Sequence, residues 1–178
     1  TRGEDPWREL GEGVVPVPSA VVNVARVLVS LDPTDPAPLL LVGPPGCGKT
    51  RVVESCGKLL HGDDHVVRIN LTNNTAIETL MGSFMPKRLK TGGTVFQWVE
   101  GKFLEAWKGG KFILLDEINL GSPEVLEELA HFIDPKVSKT SVRGLDEEVE
   151  RGEGTRVFAT MNPVGVGGGR TDLPHSFK

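Results

Sequence analysis

Gly43-Pro44-Pro45-Gly46-Cys47-Gly48-Lys49-Thr50 fits the pattern G-x-x-x-x-G-K-[ST] at every fixed position. The apolar run Leu39-Leu40-Leu41-Val42 leads into it, and a helix-compatible stretch, Arg51 to Leu60, leads out. Strand, glycine-rich loop and helix are the context in which this pattern grips phosphate. The residue types follow from the ligand. Polyphosphate is densely negative and calls for many donors at short range. Glycines at 43, 46 and 48 let the backbone turn its N–H groups inward, where a Cβ is expected to obstruct. The helix that follows offers its N-terminal amides and the positive end of its dipole. Lys49 brings a mobile charge to the β- and γ-phosphates. Thr50 brings a hydroxyl for Mg²⁺, which takes few protein ligands. The candidate nucleotide-binding residues are therefore Gly43, Pro44, Pro45, Gly46, Cys47, Gly48, Lys49, Thr50 and Arg51.

Composition bounds the rest. The 178 residues are 38% hydrophobic and 25% charged, which suits one soluble domain with a sizeable core. A net charge of −4 leaves no basic footprint for nucleic acid. No apolar run approaches the ~20 residues of a membrane span. The opening Thr1-Arg2-Gly3-Glu4-Asp5-Pro6 lacks the apolar segment of a secretory signal, and a chain that opens on Thr reads as a piece of a longer protein. Cys47 and Cys56 read as reduced thiols of an intracellular protein. Cys47 lies where a helix N-terminus favours a thiolate, so a redox switch is one reading and a small residue in a tight loop is the simpler one.

Residues 1–17 read as an arm or linker, and residues 18–178 as the folded core. A helix is expected over Ala20 to Leu31, with Val21, Val24, Leu28 and Leu31 at helix spacing. Asp32-Pro33-Thr34-Asp35-Pro36 is a turn. Val66 to Leu71 reads as a second strand and Thr72 to Leu80 as a short helix, with Thr75 and Glu78 forming a capping box. Gly92-Gly93 marks a β-hairpin within 87–98. Gly101 to Lys108 is helical, with Phe103, Leu104 and Trp107 on one face. Phe112-Ile113-Leu114-Leu115 is a buried strand. Ser122 caps a helix with Pro123 in its first turn and Val125, Leu126, Leu129 and Phe132 inside. Residues 137–155 form a hairpin or loop, and Val157 to Met161 a last buried strand. Strands alternating with helices predict an α/β fold with a parallel sheet covered on both faces. Such sheets bind ligands at the carboxyl ends of their strands, so the loop, Asp116-Glu117 and Asn162 are expected in one crevice.

Asp116-Glu117 ends a buried apolar strand, and burying carboxylates is costly unless they have a task. Asp116, with Thr50, is the candidate Mg²⁺ ligand. Glu117, one residue further out, is the candidate general base for an attacking water. The amide of Asn162 is placed to touch both the γ-phosphate and that water, and with Glu117 and Lys49 completes the candidate catalytic set. A solvated strand end and an ordinary Asn-Pro turn are the structural alternatives. His61, His65, His131 and His175 share no metal-ligand spacing, and Asp146-Glu147-Glu148 reads as a solvated face. No Asn-Lys-x-Asp guanine-reading motif follows the loop, which favours ATP.

Here the sequence resembles a known family. Gly43 to Thr50 resembles a Walker A motif, Ile113 to Glu117 a Walker B, and Ala159-Thr160-Met161-Asn162-Pro163 the sensor-1 strand of AAA+ ATPases. Arg68-Ile69-Asn70-Leu71-Thr72, Phe96-Gln97-Trp98-Val99-Glu100-Gly101 and Leu173-Pro174-His175-Ser176-Phe177 are similar to the dynein-related AAA modules. The resemblance implies a P-loop NTPase core with two β-hairpin inserts, binding ATP and Mg²⁺. It also implies neighbouring AAA+ modules, in one chain or in a ring, that remodel a protein or ribonucleoprotein assembly. Within that family a branch of giant multi-module ATPases matures the large ribosomal subunit, which implies nucleus or nucleolus. The bacterial MoxR-type chaperone ATPases, which imply cytoplasm, share much of the pattern. A nucleotide-holding module with little hydrolysis is a further alternative. The family pattern continues past Lys178 into an arginine finger, a fifth strand and a helical lid, so the chain is expected to be an αβ core without its lid. Arg170 is a poor substitute for the finger.

Overall fold

The computed structural model describes residues 18–32, 37–163 and Leu173. The N-terminal arm, the turn at 33–36, the glycine run at 165–169, Arg170 and the segment 174–178 lie outside the described residues.

Among the described residues, four parallel strands form the central sheet: β1 (Leu39–Val42), β2 (Val66–Asn70), β5 (Phe112–Asp116) and β8 (Arg156–Met161). Their order is β1-β8-β5-β2. Leu39 pairs with Phe158, Ile113 with Val157 and Asn70 with Asp116, so the strands run in one direction with matched ends. The helices are α1 (Pro18–Ser30), α2 (Lys49–His61), α3 (Ile77–Met81), α4 (Lys102–Lys108) and α5 (Pro123–Ile133). Two antiparallel hairpins, β3 (Gly82–Arg88) with β4 (Thr94–Glu100) and β6 (Lys139–Ser141) with β7 (Glu148–Glu150), project from this core. Both hairpins lie where the turn chemistry expects them, and the first is longer at both ends than the expected 87–98.

Side-chain alternation along β5 explains the layering. Ile113 and Leu115 join a cluster with Phe103, Trp107, Leu126 and Phe132 on one face of the sheet. Phe112 and Leu114 join Val27, Val52, Val53 and Cys56 on the other. Every residue of β5 is buried, as a central strand covered on both faces requires. Burial pushes the Cys56 thiol up to about 11, which leaves it an inert core residue. Ser122 caps α5 as expected, its Oγ accepting from Val125 N at 3.4 Å with Pro123 in the first turn.

The structure fixes which face of α1 is buried, and it corrects the start of one helix. In α1 the fully buried residue is Val27, with Val24 and Leu31 packed partly against it, while Val21 and Leu28 are exposed. The segment is apolar nearly all round, so periodicity alone leaves its rotation about the axis open. The helix after β2 starts at Ile77 and no side chain caps it. Thr75 Oγ1 instead accepts from Thr72 N at 2.9 Å, a local turn that competes with helix formation.

Trp107 is fully buried, stands edge-on to Phe132 at 5.2 Å and donates from Nε1 to Phe132 O at 3.1 Å. It fastens α4 to α5. Trp107→Ala is expected to lower unfolding free energy by about 3–5 kcal/mol, read from the midpoint of chemical denaturation.

Candidate functional site

The strand order decides the site. β8 lies between β1 and β5, so the loop after β1, the acidic pair that ends β5 and Asn162 after β8 lie side by side. They line one cleft of about 330 Å³, together with Arg68 of β2 and Thr160 of β8.

The loop is held open by backbone conformation. Gly46 (φ 76°) and Gly48 (φ 85°) occupy the left-handed region that disfavours any side chain. A Cβ at either would meet no protein atom within 4 Å, so protein crowding does not demand glycine there. Of the three loop glycines, Gly43 alone is placed so that a Cβ would press on a neighbour, Cys47 Sγ at 3.0 Å. Gly48 immediately precedes the first turn of α2, which leaves that turn's amides directed at the cleft. Cys47 is an exposed free thiol, 3.8 Å from Lys49 Nζ.

Lys49 connects the loop to the sheet. Its Nζ donates to Gly43 O at 2.8 Å, to Pro44 O at 2.9 Å and to Asn162 Oδ1 at 2.9 Å. The amide of Asn162 in turn donates from Nδ2 to Glu117 Oε1 at 2.9 Å. The three expected catalytic residues thus form one hydrogen-bonded chain. Glu117 has φ 55° and ψ 48°, a left-handed conformation rare outside glycine. Among described non-glycine residues only Glu117 has a positive φ. Strain of this kind persists where surrounding structure enforces it, and it gathers at functional sites. Here the enforcement is visible: Glu117 N donates to Thr160 Oγ1 at 3.2 Å.

Asp116 is the electrostatic centre. Its Oδ1 accepts from Thr50 Oγ1 at 3.1 Å and from Thr160 Oγ1 in a shorter bond. Its Oδ2 accepts from Arg68 Nε at 3.0 Å and from Arg68 Nη2. Burial alone would raise this carboxyl. The Thr160 hydroxyl and the Arg68 guanidinium, with help from Thr50, outweigh burial and hold it below the usual carboxylate range.

Sequence reasoning missed three members of this group: Arg68, Thr160 and Asn119. Asn119 is fully buried, and its Nδ2 donates to Asn162 O at 3.0 Å, which fixes the backbone that carries Asn162. Thr160 left a readable signal, a hydroxyl inside the apolar strand Val157 to Met161, where an unpaired polar group is costly. Arg68 left a weaker one, a charge in a strand next to the acidic pair.

Comparison with known proteins follows the same lines. The model of the AAA domain of the dynein-related subfamily matches residues 38–178. The chain belongs to the dynein-related AAA family. It is 39% identical to midasin of Dictyostelium discoideum over 160 residues and 38% identical to midasin of Giardia intestinalis over 164. Each match covers 90% of this chain and 3% of the relative, so the chain spans a small part of those proteins. Among solved structures, a proposed ATPase from Cytophaga hutchinsonii superposes with a TM-score of 0.63 at 25% identity, covering 94% of this chain and 45% of that one. The expected α/β fold of the AAA type is therefore present, and an AAA domain implies a nucleotide-binding cleft.

Thr160 joins two tasks, donating to Asp116 and accepting from Glu117. Thr160→Val is expected to cost about 1–3 kcal/mol of stability at pH 7. A depressed carboxylate contributes stability that is full above its unfolded value near ~3.9 and is lost as pH falls through the folded value. The stability difference between wild type and variant should therefore shrink below about pH 4, without vanishing, because the Glu117 N–H stays unpaired. Urea denaturation at pH 7 and pH 3 checks this.

Proposed function

We propose that the chain is an ATP-binding and ATP-hydrolysing AAA module. The observation that carries this is the linked chain Lys49–Asn162–Glu117 beside the pair Thr50–Asp116, all in one cleft under a phosphate-binding loop. The loop amides and Lys49 hold the β- and γ-phosphates. Thr50 and Asp116 would hold Mg²⁺: a hydroxyl and a carboxylate side by side are the hard oxygen donors this ion takes. Bound there, the ion supplies charge neutralisation on the phosphate oxygens. Glu117 accepts the proton of a water whose oxygen forms the new bond to the γ-phosphorus as the bond to the β–γ bridging oxygen breaks. ADP and phosphate leave. Asn162 already bonds Lys49 on one side and Glu117 on the other, so it orients the base relative to the γ-phosphate.

Likeness to the midasins supports a larger role: a module among neighbouring AAA modules whose nucleotide cycle remodels a ribonucleoprotein assembly, the maturing large ribosomal subunit, in the nucleus or nucleolus. No helix of the described residues is long and apolar enough to cross a membrane.

Two substitutions test the site. Lys49→Ala is expected to abolish binding of a fluorescent ATP analogue, and retained affinity would remove the loop from the site. Glu117→Gln is expected to leave that affinity unchanged and to lower turnover by about 10²–10⁴-fold, the usual worth of a general base. Phosphate release at saturating ATP reads the second effect, and surviving turnover would place the base elsewhere.

A further inference from the structure

Arg68 lines the nucleotide cleft, yet the proposed reaction gives it no task. It reaches from β2 to the Asp116 carboxylate, where Nε lies 3.0 Å from Oδ2 and Nη2 forms an ion pair with the same oxygen. Thr50 and Thr160 occupy the other oxygen. An ionised carboxylate offers about four lone-pair sites. Protein donors fill all of them. A metal ion, or the water bound to it, needs at least one.

The four donors are not equally able to leave. Thr160 is 1% exposed and also bonds Glu117 N. Thr50 is itself a prospective metal ligand. The Arg68 side chain is half exposed, on a long arm, and Nη1 already lies 3.8 Å from Glu54 Oε1 on α2. A second carboxylate therefore waits on the side away from Asp116.

We propose that Arg68 is an exchangeable counter-cation. It neutralises Asp116 before the metal–nucleotide complex enters, then yields the carboxylate oxygen by shifting onto Glu54. This inference rests on the reading of Thr50 and Asp116 as the Mg²⁺ pair. Arg68 is thus a positioning residue: it sets how much Mg²⁺ the site needs, and touches neither the nucleotide nor the reacting atoms. The chemistry is that of competition between two cations for one anion. A guanidinium that leaves Asp116 without finding Glu54 would forfeit an ion pair, so the two carboxylates work together.

The test is a titration of the whole chain with MgCl₂ in the presence of a fluorescent, non-hydrolysable ATP analogue. Wild type, Arg68→Gln and Glu54→Gln are compared, each also titrated with the analogue in EDTA. Arg68→Gln is expected to lower the Mg²⁺ midpoint about threefold to fivefold, the scale of a half-exposed ion pair, with EDTA affinity unchanged. Glu54→Gln is expected to raise the midpoint, because Arg68 loses its alternative partner. An unchanged or raised midpoint in Arg68→Gln overturns the exchange. So does weaker binding in EDTA, which would make Arg68 a direct nucleotide contact. Wild type that binds the analogue with no Mg²⁺ dependence sinks the metal-pair reading and the exchange with it. A normal wild-type titration beside an unshifted Arg68→Gln sinks the exchange alone. If Arg68→Gln does not fold, Arg68→Lys, which keeps the charge and loses the two-pronged hydrogen bond, is expected to lower the midpoint by a smaller factor, and no shift there overturns the proposal.

Discussion

A buried carboxylate at the end of a central strand must be satisfied, and most of the site's geometry is the solution to that requirement. Asp116 closes β5, whose other residues pack hydrocarbon on both faces of the sheet. An ionised carboxylate there is tolerable only if donors surround it. The donors come from α2, β2 and β8, the elements packed beside β5. One charge thus pins α2, β2 and β8 in register with one another. Geometry that an enzyme needs for chemistry is enforced here by the cost of leaving a charge unpaired.

Glu117 shows how the same network stores local strain. A left-handed glutamate is unfavourable by itself. Thr160 accepts from its N–H, and Asn162 donates to its carboxylate, so both ends of the residue are fixed from β8. The conformation turns the carboxylate of Glu117 away from the path of β5 and toward Asn162. Had the chain continued in extended form, strand alternation would have carried successive side chains to opposite faces of the sheet. Adjacent acids would then point apart. The positive φ lets Asp116 and Glu117 serve one cleft.

The parts legible in the sequence are those with short-range or strongly periodic causes. The loop octapeptide, the apolar strand before Asp116 and the Ser122-Pro123 cap each carry their signal within a few residues, and each lies where it was expected. The rotation of α1 was not legible, because Val21, Val22, Val24, Val27, Leu28 and Val29 leave no polar stripe to orient the helix. The start of α3 was misread because Thr72 and Thr75 close a turn on themselves, an outcome that cap statistics do not separate from a capping box. Arg68, Thr160 and Asn119 escaped for a different reason. Their roles depend on partners far along the chain, such as Arg68 with Asp116 and Asn119 with Asn162, so the local signals of Thr160 and Arg68 name no partner.

Lys49 and Arg68, two of the cationic side chains that line the cleft, are already bonded to protein oxygens in this arrangement. A metal–nucleotide complex therefore gains only the difference between the bonds it makes to Lys49 and Asp116 and those it displaces, since hydrogen bonds exchange partners and are not created from nothing. This lowers affinity relative to a site with dangling charges. It also makes binding informative. Each displaced bond releases something specific: Lys49 leaving Asn162 frees the amide that holds Glu117, and Arg68 leaving Asp116 frees the lone pairs a metal needs. The self-satisfied state keeps Lys49, Asn162 and Glu117 tied to one another, and a ligand unties them only by drawing Lys49 away from Asn162 while its metal competes with Arg68 for Asp116. A triphosphate with its metal meets that condition on chemistry alone, whereas a monophosphate, with fewer oxygens to offer, would leave the chain Lys49–Asn162–Glu117 closed.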